Sequence, residues 1–491
     1  VPPPFVREPL FPISTMRCTV LPVALVLALA ASISPAAAFS GSLALGGGRR
    51  AAARSTVSME MEMQKRKKVV ITGVGAVSSV GVGAQTFFQA LVDGKSGIGK
   101  MPSWSDEYPA QVGSIVTEAS GWNGPEEWMD KKEARRQGRY THFAMAASKI
   151  AIKDANLDLD KVDKTKFGVI VGSGIGGVEF FEDNCNKFTA AGMGAAGLKK
   201  VSPFLIPALI SNTASGIIAI DVGAQGPNYG VVSACATGTH AIGDAMFFLQ
   251  TGRADVMLAG GAEASITPLC FAGFAAMRAM VTTFNDDPSR ASRPFDKKRG
   301  GFVMGEGAGV VLLETEEHAL ARGADIYCEL AGYGATCDAH HITAPHPEGR
   351  GLAAAITMAL TTGGVTPEEV DYINAHGTST PYNDKFETMA IKKALGDHAY
   401  KVKISSTKSM IGHTLGAAGG LEAVICAKVV KTGWIPPTLN LDEPDLEDGC
   451  DLDYTPNKAV KMDRVRAAIS DNLGFGGHNA ALVFKEYIKS E

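Results

Sequence analysis

The chain has 491 residues, of which 45% are hydrophobic and 20% are charged, the balance of one large or several ordinary globular domains. Its 47 basic and 51 acidic residues give a net charge of −4, which argues against a nucleic-acid-binding protein. None of the eight cysteines forms a CxxC pair, so neither a zinc knuckle nor a disulfide framework is indicated, and we expect reduced thiols.

Residues 1–66 have the composition of a targeting segment, and we expect them not to be part of the mature fold. Residues 1–15 precede the first methionine, and we interpret them as upstream sequence. From Met16 the chain carries Arg17, an apolar run over 20–31 and small residues before Phe39, which is the pattern of a secretory signal peptide. The apolar run is too short for a membrane span, so we expect no span in the mature protein.

The second part of this segment has a different character. After Phe39 it is rich in Ser, Gly, Ala and Arg, with no acidic residue before Glu60, as in transit peptides. A signal peptide followed by a transit peptide that begins with Phe resembles the two-part plastid address of algae with red-lineage secondary plastids. We therefore expect import into the plastid (the chloroplast stroma), with plain secretion or a mitochondrial presequence as the alternatives.

The folded part is expected to begin at Lys67, with a buried strand over 67–75 and a glycine-rich turn after it. The GxGxxG spacing of a dinucleotide site is absent from GVGAVSSVGVG, so we expect no nucleotide site there. Residues 131–139 (KKEARRQGR) are strongly basic and lie on a predicted helix that becomes amphipathic from Tyr140. That face is either solvated or the docking site of an acidic partner.

Beyond this segment, apolar strands alternate with helices to the end of the chain. Strands are predicted over 167–173, 255–261, 307–314, 326–334, 370–375, 402–406, 466–470 and 480–485, and helices over 203–222, 351–361 and 415–430. Such alternation indicates an α/β fold with mainly parallel pairing. The two halves share one rhythm, so we predict an internal duplication, with an N-terminal half over 67–320 and a C-terminal half over 321–491.

Cys235 is the first candidate for chemistry. The apolar residues 230–232 read as the end of a buried strand, and a helical pattern follows the small residues of SACATG. A cysteine at such a bend lies at a helix N-terminus, which lowers the pKa of the thiol and favours a thiolate nucleophile. The alternative is that Cys235 is a small buried hydrophobic residue.

Two histidines follow predicted strands in the second half. His376 lies in NAHGTST and His413 in SSTKSMIGHT, five residues after Lys408. Strand ends and helix starts share one rim of a parallel sheet, so a two-fold relation between the halves would bring both histidines to Cys235. One Cys and two His suit acyl transfer through a thioester, with imidazole N–H groups stabilising an enolate. A metal site is disfavoured, because no two candidate ligands have short spacing.

The chain from about Lys67 to Ile488 resembles the elongating β-ketoacyl-[acyl carrier protein] synthases, most closely the bacterial type II group (synthase II). The resemblance is carried by SACATGTHAIG, RPFDKKRGGFVMGEGAG, NAHGTST, SSTKSMIGHTLGAAGG and DNLGFGGHN. It implies the thiolase-like fold, in which duplicated α/β halves form a five-layer αβαβα arrangement, and a homodimer. It also implies acyl carrier protein as partner and neither cofactor nor metal, since the phosphopantetheine of that carrier holds the substrates.

The resemblance assigns the catalytic positions. Cys235 corresponds to the nucleophile that takes the acyl group, and His376 and His413 to the pair that promotes malonyl decarboxylation and stabilises the enolate. Lys408 corresponds to a lysine that supports this pair electrostatically. Phe475 corresponds to the gatekeeper, and its backbone N–H and that of Cys235 correspond to the oxyanion hole.

The resemblance also assigns binding, bracing and docking positions. Thr378 and Thr380 bind the phosphopantetheine arm, Ile175, Leu205 and Phe274 line the acyl pocket, Gly474 lets the gate loop move, Glu387 and Glu422 brace the site, and Lys132, Arg135 and Arg136 dock the acidic carrier protein. The reaction so implied is a decarboxylative Claisen condensation of acyl- and malonyl-carrier protein, which lengthens a fatty acyl chain.

Two features depart from the family pattern. Residues 190–200 (AAGMGAAGLKK) look like an insert between acyl-pocket segments, which leaves the preferred acyl length open, a synthase I-like range included. Asp471 stands where relatives often carry Cys or Asn.

Rival assignments differ at single residues. A starter-type condensing enzyme would have asparagine in place of His413, and a CoA thiolase would have a second cysteine near the C-terminus, where GFGGHN has none. A polyketide-type ketosynthase is a further alternative, although such domains usually belong to longer chains. A chain-length partner subunit typically lacks the nucleophile that Cys235 supplies, and a Cys/His hydrolase would need no malonyl-carrier protein.

Overall fold

The computed structural model of the protein describes residues 66–489. The targeting segment predicted over 1–66 lies almost wholly outside these residues, and the targeting prediction therefore stays a prediction. No helix within 66–489 is both long enough and apolar enough to cross a bilayer.

The described residues contain fifteen strands, most of them apolar and several buried along their whole length. In chain order they are β1 (Val69–Ser78), β2 (Gly81–Val82), β3 (Gly99–Lys100), β4 (Val112–Ser114), β5 (Phe167–Gly172), β6 (Val256–Glu263), β7 (Met304–Gly305), β8 (Gly307–Thr315), β9 (Cys328–Cys337), β10 (Val370–Asn374), β11 (Lys403–Ser405), β12 (Trp434–Ile435), β13 (Val460–Lys461), β14 (Ala467–Gly474) and β15 (His478–Lys485).

The same residues contain fourteen α-helices. They are α1 (Ala84–Val92), α2 (Lys131–Ala134), α3 (Arg139–Asp154), α4 (Val178–Ala190), α5 (Ala195–Leu198), α6 (Leu205–Leu209), α7 (Thr213–Val222), α8 (Thr237–Gln250), α9 (Pro268–Ala276), α10 (Glu316–Ala321), α11 (Arg350–Gly363), α12 (Pro381–Leu395), α13 (Lys408–Ile411) and α14 (Ala418–Thr432).

The main sheet has a seam at its centre. Its order is β11-β10-β14-β15-β9-β1-β8-β6-β5, with β2 paired to β1. At the seam, β1 and β9 share only the pairs Val70–Glu329 and Ile71–Cys328. Beyond β5, the extended chain at Asn228 forms one more parallel bridge, to Val169. Each side of the seam therefore has five positions, and numbering them in chain order gives 3-2-4-5-1 on both sides.

The duplication extends to strand direction and to the helices. On each side the first two neighbouring pairs are parallel and the last two antiparallel. Helices α3 and α7 pack on strands of one half of the sheet, and α11 packs on strands of the other half with α12 beside it. Helices α8 and α14 contact strands of both halves. Every residue from Ala418 to Val430 is buried, as a helix between two sheets must be. The predicted five-layer arrangement of duplicated halves is confirmed.

The prediction of mainly parallel pairing is wrong. Half of the neighbouring pairs within each side are antiparallel, because the chain returns through the hairpin between β14 and β15 and through the long connection between β6 and β8. A strand that is buried on both faces looks equally apolar in either direction. The apolar pattern therefore identified the strands and left their direction undetermined.

Three local predictions also need correction. Strand β1 does not end at the glycine-rich turn but continues to Ser78, and its glycines let α3 pack closely, since a Cβ on Gly75 would lie 1.9 Å from the Ala147 oxygen. The helix predicted over 203–222 is two helices, α6 and α7. The basic segment forms the short α2, and α3 begins only after Gly138.

Candidate active site

Cys235 lies on a tight turn between an extended segment and a central helix. Residues Ala234–Ala236 form a single 3-10 turn, and α8 begins at Thr237. The Thr237 hydroxyl accepts the backbone N–H of Ser233 at 2.8 Å, which fixes the turn. The apolar segment 230–232, predicted as a strand end, belongs to no ladder, and Val232 is 59% exposed. Cys235 therefore follows an edge of the sheet rather than a buried strand.

His376 follows β10, and two buried carboxyl groups accept hydrogen bonds from the backbone of this segment. Its N–H donates to Asp471 Oδ1 at 3.1 Å, and the next N–H, that of Gly377, donates to Glu387 Oε2 at 2.8 Å. Asn383 also donates to Glu387 Oε2, at 3.1 Å. Glu387 is thus a brace of the His376 segment, the position that the family resemblance gave it.

His413 lies between α13 and a second 3-10 turn, Leu415–Ala417. Its backbone N–H donates to the Val303 oxygen at 2.6 Å, and its carbonyl accepts the N–H of Gly305 at 2.9 Å. The ring of Phe302 meets the imidazole edge to face, with the centroids 5.5 Å apart. The chain of the other half therefore clamps His413 on both sides.

The three side chains converge. His413 Nε2 lies 2.9 Å from Cys235 Sγ, and the rings of His376 and His413 are perpendicular, with centroids 5.2 Å apart. One donor atom from each of the three residues lies within 4.8 Å of the other two, and all three residues are buried. Their separation in the sequence was the argument against a metal site, and the fold removes that separation. The expectation of no metal therefore stays a prediction.

A chain of hydrogen bonds connects Lys408 with His376. The Lys408 ammonium contacts Glu422 Oε1 in a buried ion pair. Glu422 Oε2 accepts Asn472 Nδ2 at 2.7 Å, and the same Nδ2 lies 3.1 Å from His376 Nδ1. Thr239 donates its hydroxyl to Asn472 Oδ1. Lys408 therefore reaches the histidine pair through Glu422 and Asn472.

Burial sets the protonation of the three central groups. It raises the pKa of the Cys235 thiol to about 12, although the Lys408 charge and the backbone N–H groups of Phe475 and Cys235 act in the opposite direction. Burial, and then Lys408, hold the pKa values of His376 and His413 well below their usual range. These shifts favour a thiol beside two neutral imidazoles. The sequence predicted a lowered pKa for Cys235 from its place at a helix N-terminus; the direction is the opposite, because desolvation outweighs the local dipoles.

The two backbone N–H groups predicted for the oxyanion hole, those of Cys235 and Phe475, both act to lower the pKa of the Cys235 thiol. An oxygen of a group bonded to that sulfur is the atom that they would stabilise. Gly474 makes this approach possible, since a Cβ there would lie 2.5 Å from the Ser233 oxygen. The loop continues through Gly476, whose N–H donates to the Ile342 oxygen at 2.6 Å.

The trio opens into a cavity of about 630 Å³. Residues predicted from the family resemblance line this cavity: Ile175, Phe274, Thr378, Thr380, Gly474 and Phe475. The hydroxyls of Thr378 and Thr380 lie 2.9 Å apart, a polar pair suited to an amide-bearing arm.

Asp471 is a second buried carboxyl group that holds the His376 segment, and it lies against Glu387. Burial raises the pKa of Asp471 to about 6.

Leu205 and the insert lie away from the cavity lining. Leu205 begins α6, which packs beside α4, and it is not among the cavity residues. Residues 190–200 form the end of α4, a turn and α5, with Met193 and Leu198 exposed. Neither Leu205 nor the segment 190–200 therefore belongs to the lining of this cavity.

The three docking residues differ in their surroundings. Lys132 and Arg135 are exposed. Arg136 is half-buried, pairs with Glu133 Oε1 at 2.6 Å and stacks over the ring of Phe204. Two of the three charges are therefore free to face a partner, and the third is held within the chain.

Three contributors to the site were missed from the sequence. Asn472 and Thr239 form the connection between Glu422 and His376 described above. Glu263 is buried and accepts the N–H groups of Gly174 and Gly416 through Oε2, at 2.8 and 3.0 Å. It thereby joins the segments that carry Ile175 and Leu415. No spacing signal marks these residues, because each acts across the seam between the halves.

Comparison with known proteins agrees with this geometry. The family described as Beta-ketoacyl synthase, N-terminal domain, matches residues 66–319, and its C-terminal domain matches 327–442. The 3-oxoacyl-[acyl-carrier-protein] synthase 2 of Synechocystis sp. is 49% identical over 420 residues, 85% of this chain and 98% of that protein. The protein of the same name from Staphylococcus aureus (strain COL) is 48% identical over 419 residues, with the same shares.

Solved structures show the same fold. A β-ketoacyl synthase from Burkholderia phymatum STM815 superposes with a TM-score of 0.78 at 34% identity, over 86% of this chain and all of that one. A type II PKS acyl-carrier protein in complex with its ketosynthase, bound to the hexaketide, gives a TM-score of 0.79 at 33% identity, with the same coverage.

Proposed function

The chain belongs to the β-ketoacyl synthase family, and we propose that it is a 3-oxoacyl-[acyl carrier protein] synthase that elongates fatty acyl chains. The observation that carries the proposal is the convergence of Cys235, His376 and His413 in the lining of one cavity. A nucleophile, a base and a hydrogen-bond donor in a dry site are what a decarboxylative condensation needs. Two close relatives carry the same activity in their names.

The first half-reaction transfers the acyl group to the protein. His413 Nε2 accepts the thiol proton of Cys235 as Sγ attacks the thioester carbonyl of acyl-carrier protein. The backbone N–H groups of Cys235 and Phe475 stabilise the tetrahedral oxyanion. The carrier's phosphopantetheine sulfur leaves with the proton from His413, and the acyl group remains on Sγ.

The second half-reaction forms the carbon–carbon bond. Malonyl-carrier protein enters, and an imidazole N–H of the histidine pair donates to its thioester oxygen while the carboxylate leaves as CO2. The resulting enolate carbon attacks the acyl-cysteine carbonyl and expels the Cys235 thiolate, which takes one proton from solvent. The product is a 3-oxoacyl-carrier protein two carbons longer than the acyl substrate. No electron is transferred to or from an external group, so no redox cofactor takes part.

The direct test supplies the purified protein with acyl-carrier proteins of four to sixteen carbons, with and without malonyl-carrier protein. The expected product is the 3-oxoacyl-carrier protein, identified by mass and formed only with malonyl-carrier protein. Free fatty acid formed without malonyl-carrier protein would instead identify a thioester hydrolase. The length series also separates synthase I-like from synthase II-like ranges, and repeated condensation on one chain would identify a polyketide-type ketosynthase.

The functional unit is a homodimer. The extended segment at Asn228–Val232 occupies the outer position of its sheet and bridges only β5 among the described residues. Val232 in this segment is 59% exposed, and Ile220 on α7 and Phe247 on α8 are 77 and 47% exposed. An unpaired edge with apolar neighbours favours pairing with a second copy. Sedimentation velocity should give a dimer, and Val232→Glu should shift it to monomer. A monomeric native protein would contradict this assignment.

The site of action is the plastid stroma. The support is the composition of residues 1–66, with a signal-peptide pattern before Phe39 and a transit-peptide pattern after it. A fusion of residues 1–66 to a fluorescent protein, expressed in an alga with a secondary plastid, should reach the plastid. Fluorescence in the medium or in mitochondria would favour the alternatives.

A further inference from the structure

Asn472 lies on β14, is buried, and forms hydrogen bonds through both ends of its amide. The Thr239 hydroxyl donates to Oδ1, while Nδ2 faces Glu422 Oε2 at 2.7 Å and His376 Nδ1 at 3.1 Å. The Glu422 carboxylate accepts the Lys408 ammonium and can only accept from Asn472. With the amide reversed, Asn472 Oδ1 would face Glu422 Oε2, and neither oxygen can donate. The carboxylate therefore determines which end of the Asn472 amide is the nitrogen.

This orientation determines the tautomer of His376. The two hydrogens of Nδ2 are directed at Glu422 and at His376, so His376 Nδ1 is an acceptor. A neutral imidazole that accepts through Nδ1 carries its proton on Nε2. Since Nδ1 is occupied by Asn472, Nε2 is the ring nitrogen left for the cavity that His376 lines. His376 therefore presents a donor to the bound substrate, before any substrate has entered.

His413 has no comparable constraint. Its Nε2 lies against the thiol of Cys235 at 2.9 Å, and its Nδ1 has no hydrogen-bond partner among residues 66–489. Its ring is free to accept the thiol proton and to return it. The two imidazoles thus differ in their surroundings, although both are buried and both belong to the same half.

We propose that Asn472 is a positioning residue that holds His376 in the Nε2–H tautomer, so that His376 serves decarboxylation as a fixed hydrogen-bond donor and His413 alone exchanges a proton with Cys235. The inference rests on the proposed condensation and deepens it, by giving the two histidines separate tasks. The Lys408–Glu422 pair orients Asn472, and through it acts on His376.

The tautomer can be measured in the unaltered protein. Histidine labelled with ¹⁵N, assigned by comparison with His376→Gln, should show the shift pattern of a neutral ring protonated on Nε2 between pH 6 and 8. In Asn472→Asp the carboxylate accepts from Nδ1, so the His376 pattern should invert. A His376 ring protonated on Nδ1 in the unaltered protein would overturn the proposal.

Kinetics test the separate tasks. Asn472→Asp and Asn472→Ser are expected to lower malonyl decarboxylation by about 10²-fold, the effect of losing one donor to a developing oxyanion, while transfer of the acyl group to Cys235 falls by less than about tenfold. Asn472→Ser is neutral and its shorter side chain no longer reaches His376 Nδ1, so it covers the case in which the charged variant fails to fold. The exposed Asn123→Asp, which lies beside Glu127, is the matched control and should change neither rate.

The outcomes separate this inference from the proposed function. Equal losses in both half-reactions, or unchanged decarboxylation in a folded Asn472→Ser protein, would reject the positioning role while leaving condensation by the unaltered protein intact. Absence of condensation by the unaltered protein would reject the proposed function, whatever the tautomer.

Discussion

Ala234 and Leu415 hold the same unusual backbone angle at equivalent points of the two halves. Their φ values are +51° and +49°, in the left-handed region that residues other than glycine rarely occupy. Each is the first residue of a 3-10 turn that leads directly into a central helix, α8 in one half and α14 in the other. The duplication therefore repeats a strained turn as well as the sheet order.

This equivalence explains how one fold supplies two kinds of catalytic group. Cys235 is the second residue of its turn, and the matching residue in the other half is Gly416, whose N–H donates to Glu263. The C-terminal half carries no side chain at the position of the nucleophile and provides His413 just before the turn. The two turns face each other across the seam, so the thiol of one half meets the imidazole of the other.

Replacing the nucleophile should separate the half-reactions. Cys235→Ala is expected to lower condensation by about 10³-fold or more, while malonyl decarboxylation continues, because His376 and His413 remain. Product formation and CO2 release are measured on the same samples, with Cys185→Ala on α4 as the control. Condensation at the native rate in Cys235→Ala would remove the thiol from the mechanism.

The motifs of the sequence predicted that Cys235, His376 and His413 come together, but not the hydrogen bonds that organise them. NAHGTST and the SACATG segment identify His376 and Cys235 as candidates because small residues surround them. The Asn472–His376 contact spans 96 positions and depends on how β14 lies beside β10, which no local pattern encodes. The direction of the Cys235 pKa shift also differs from the prediction, because desolvation of the thiol is a property of the assembled halves and not of the turn.

The Cys235 thiol should be alkylated slowly near neutral pH, and its alkylation rate should keep rising as the pH is raised. Since the pKa of Cys235 is raised to about 12, the thiolate fraction, and with it the alkylation rate, should rise about tenfold per pH unit between pH 6 and 9. The measurement is iodoacetamide labelling of the peptide that contains Cys235, with Cys235→Ala as the blank. A rate that levels off near pH 7 would show that the thiolate is already the resting form.

The gate loop should control which carrier enters. Phe475 lines the cavity beside Gly474, and the loop is tied to Ile342 through Gly476. Phe475→Ala is expected to reduce the preference of the acylated protein for malonyl- over acyl-carrier protein, because the ring no longer closes the cavity. Competition between the two carriers measures this preference, with exposed Tyr400→Ala as the control. An unchanged ratio would argue against a gate.

The docking charges should act on carrier binding rather than on chemistry. Lys132→Glu with Arg135→Glu is expected to raise the KM for carrier-bound substrates several-fold at 50 mM salt and less at 500 mM, because exposed charges are screened. Arg136→Glu should raise KM less, since Arg136 is already paired with Glu133. Lys153→Glu, exposed on α3, is the control. A salt-independent change, or a fall in kcat alone, would exclude docking at this surface.

Asp471 should make the protein less stable as pH rises. Burial raises the pKa of Asp471 to about 6. Burial and the neighbouring Asp471 hold the pKa of Glu387 well above its usual range. The folded protein therefore keeps protons that the unfolded chain loses above about pH 4, and the free energy of unfolding falls as pH rises from about 4 through 6.

Asp471→Asn can still accept the N–H of His376 and removes a charge beside Glu387. Chemical denaturation should show it about 1–3 kcal/mol more stable than the unaltered protein at pH 8 and equal to it at pH 4. The exposed Asp160→Asn should show no such difference, and an Asp471→Asn protein that is less stable at pH 8 would mean that the carboxylate itself is required.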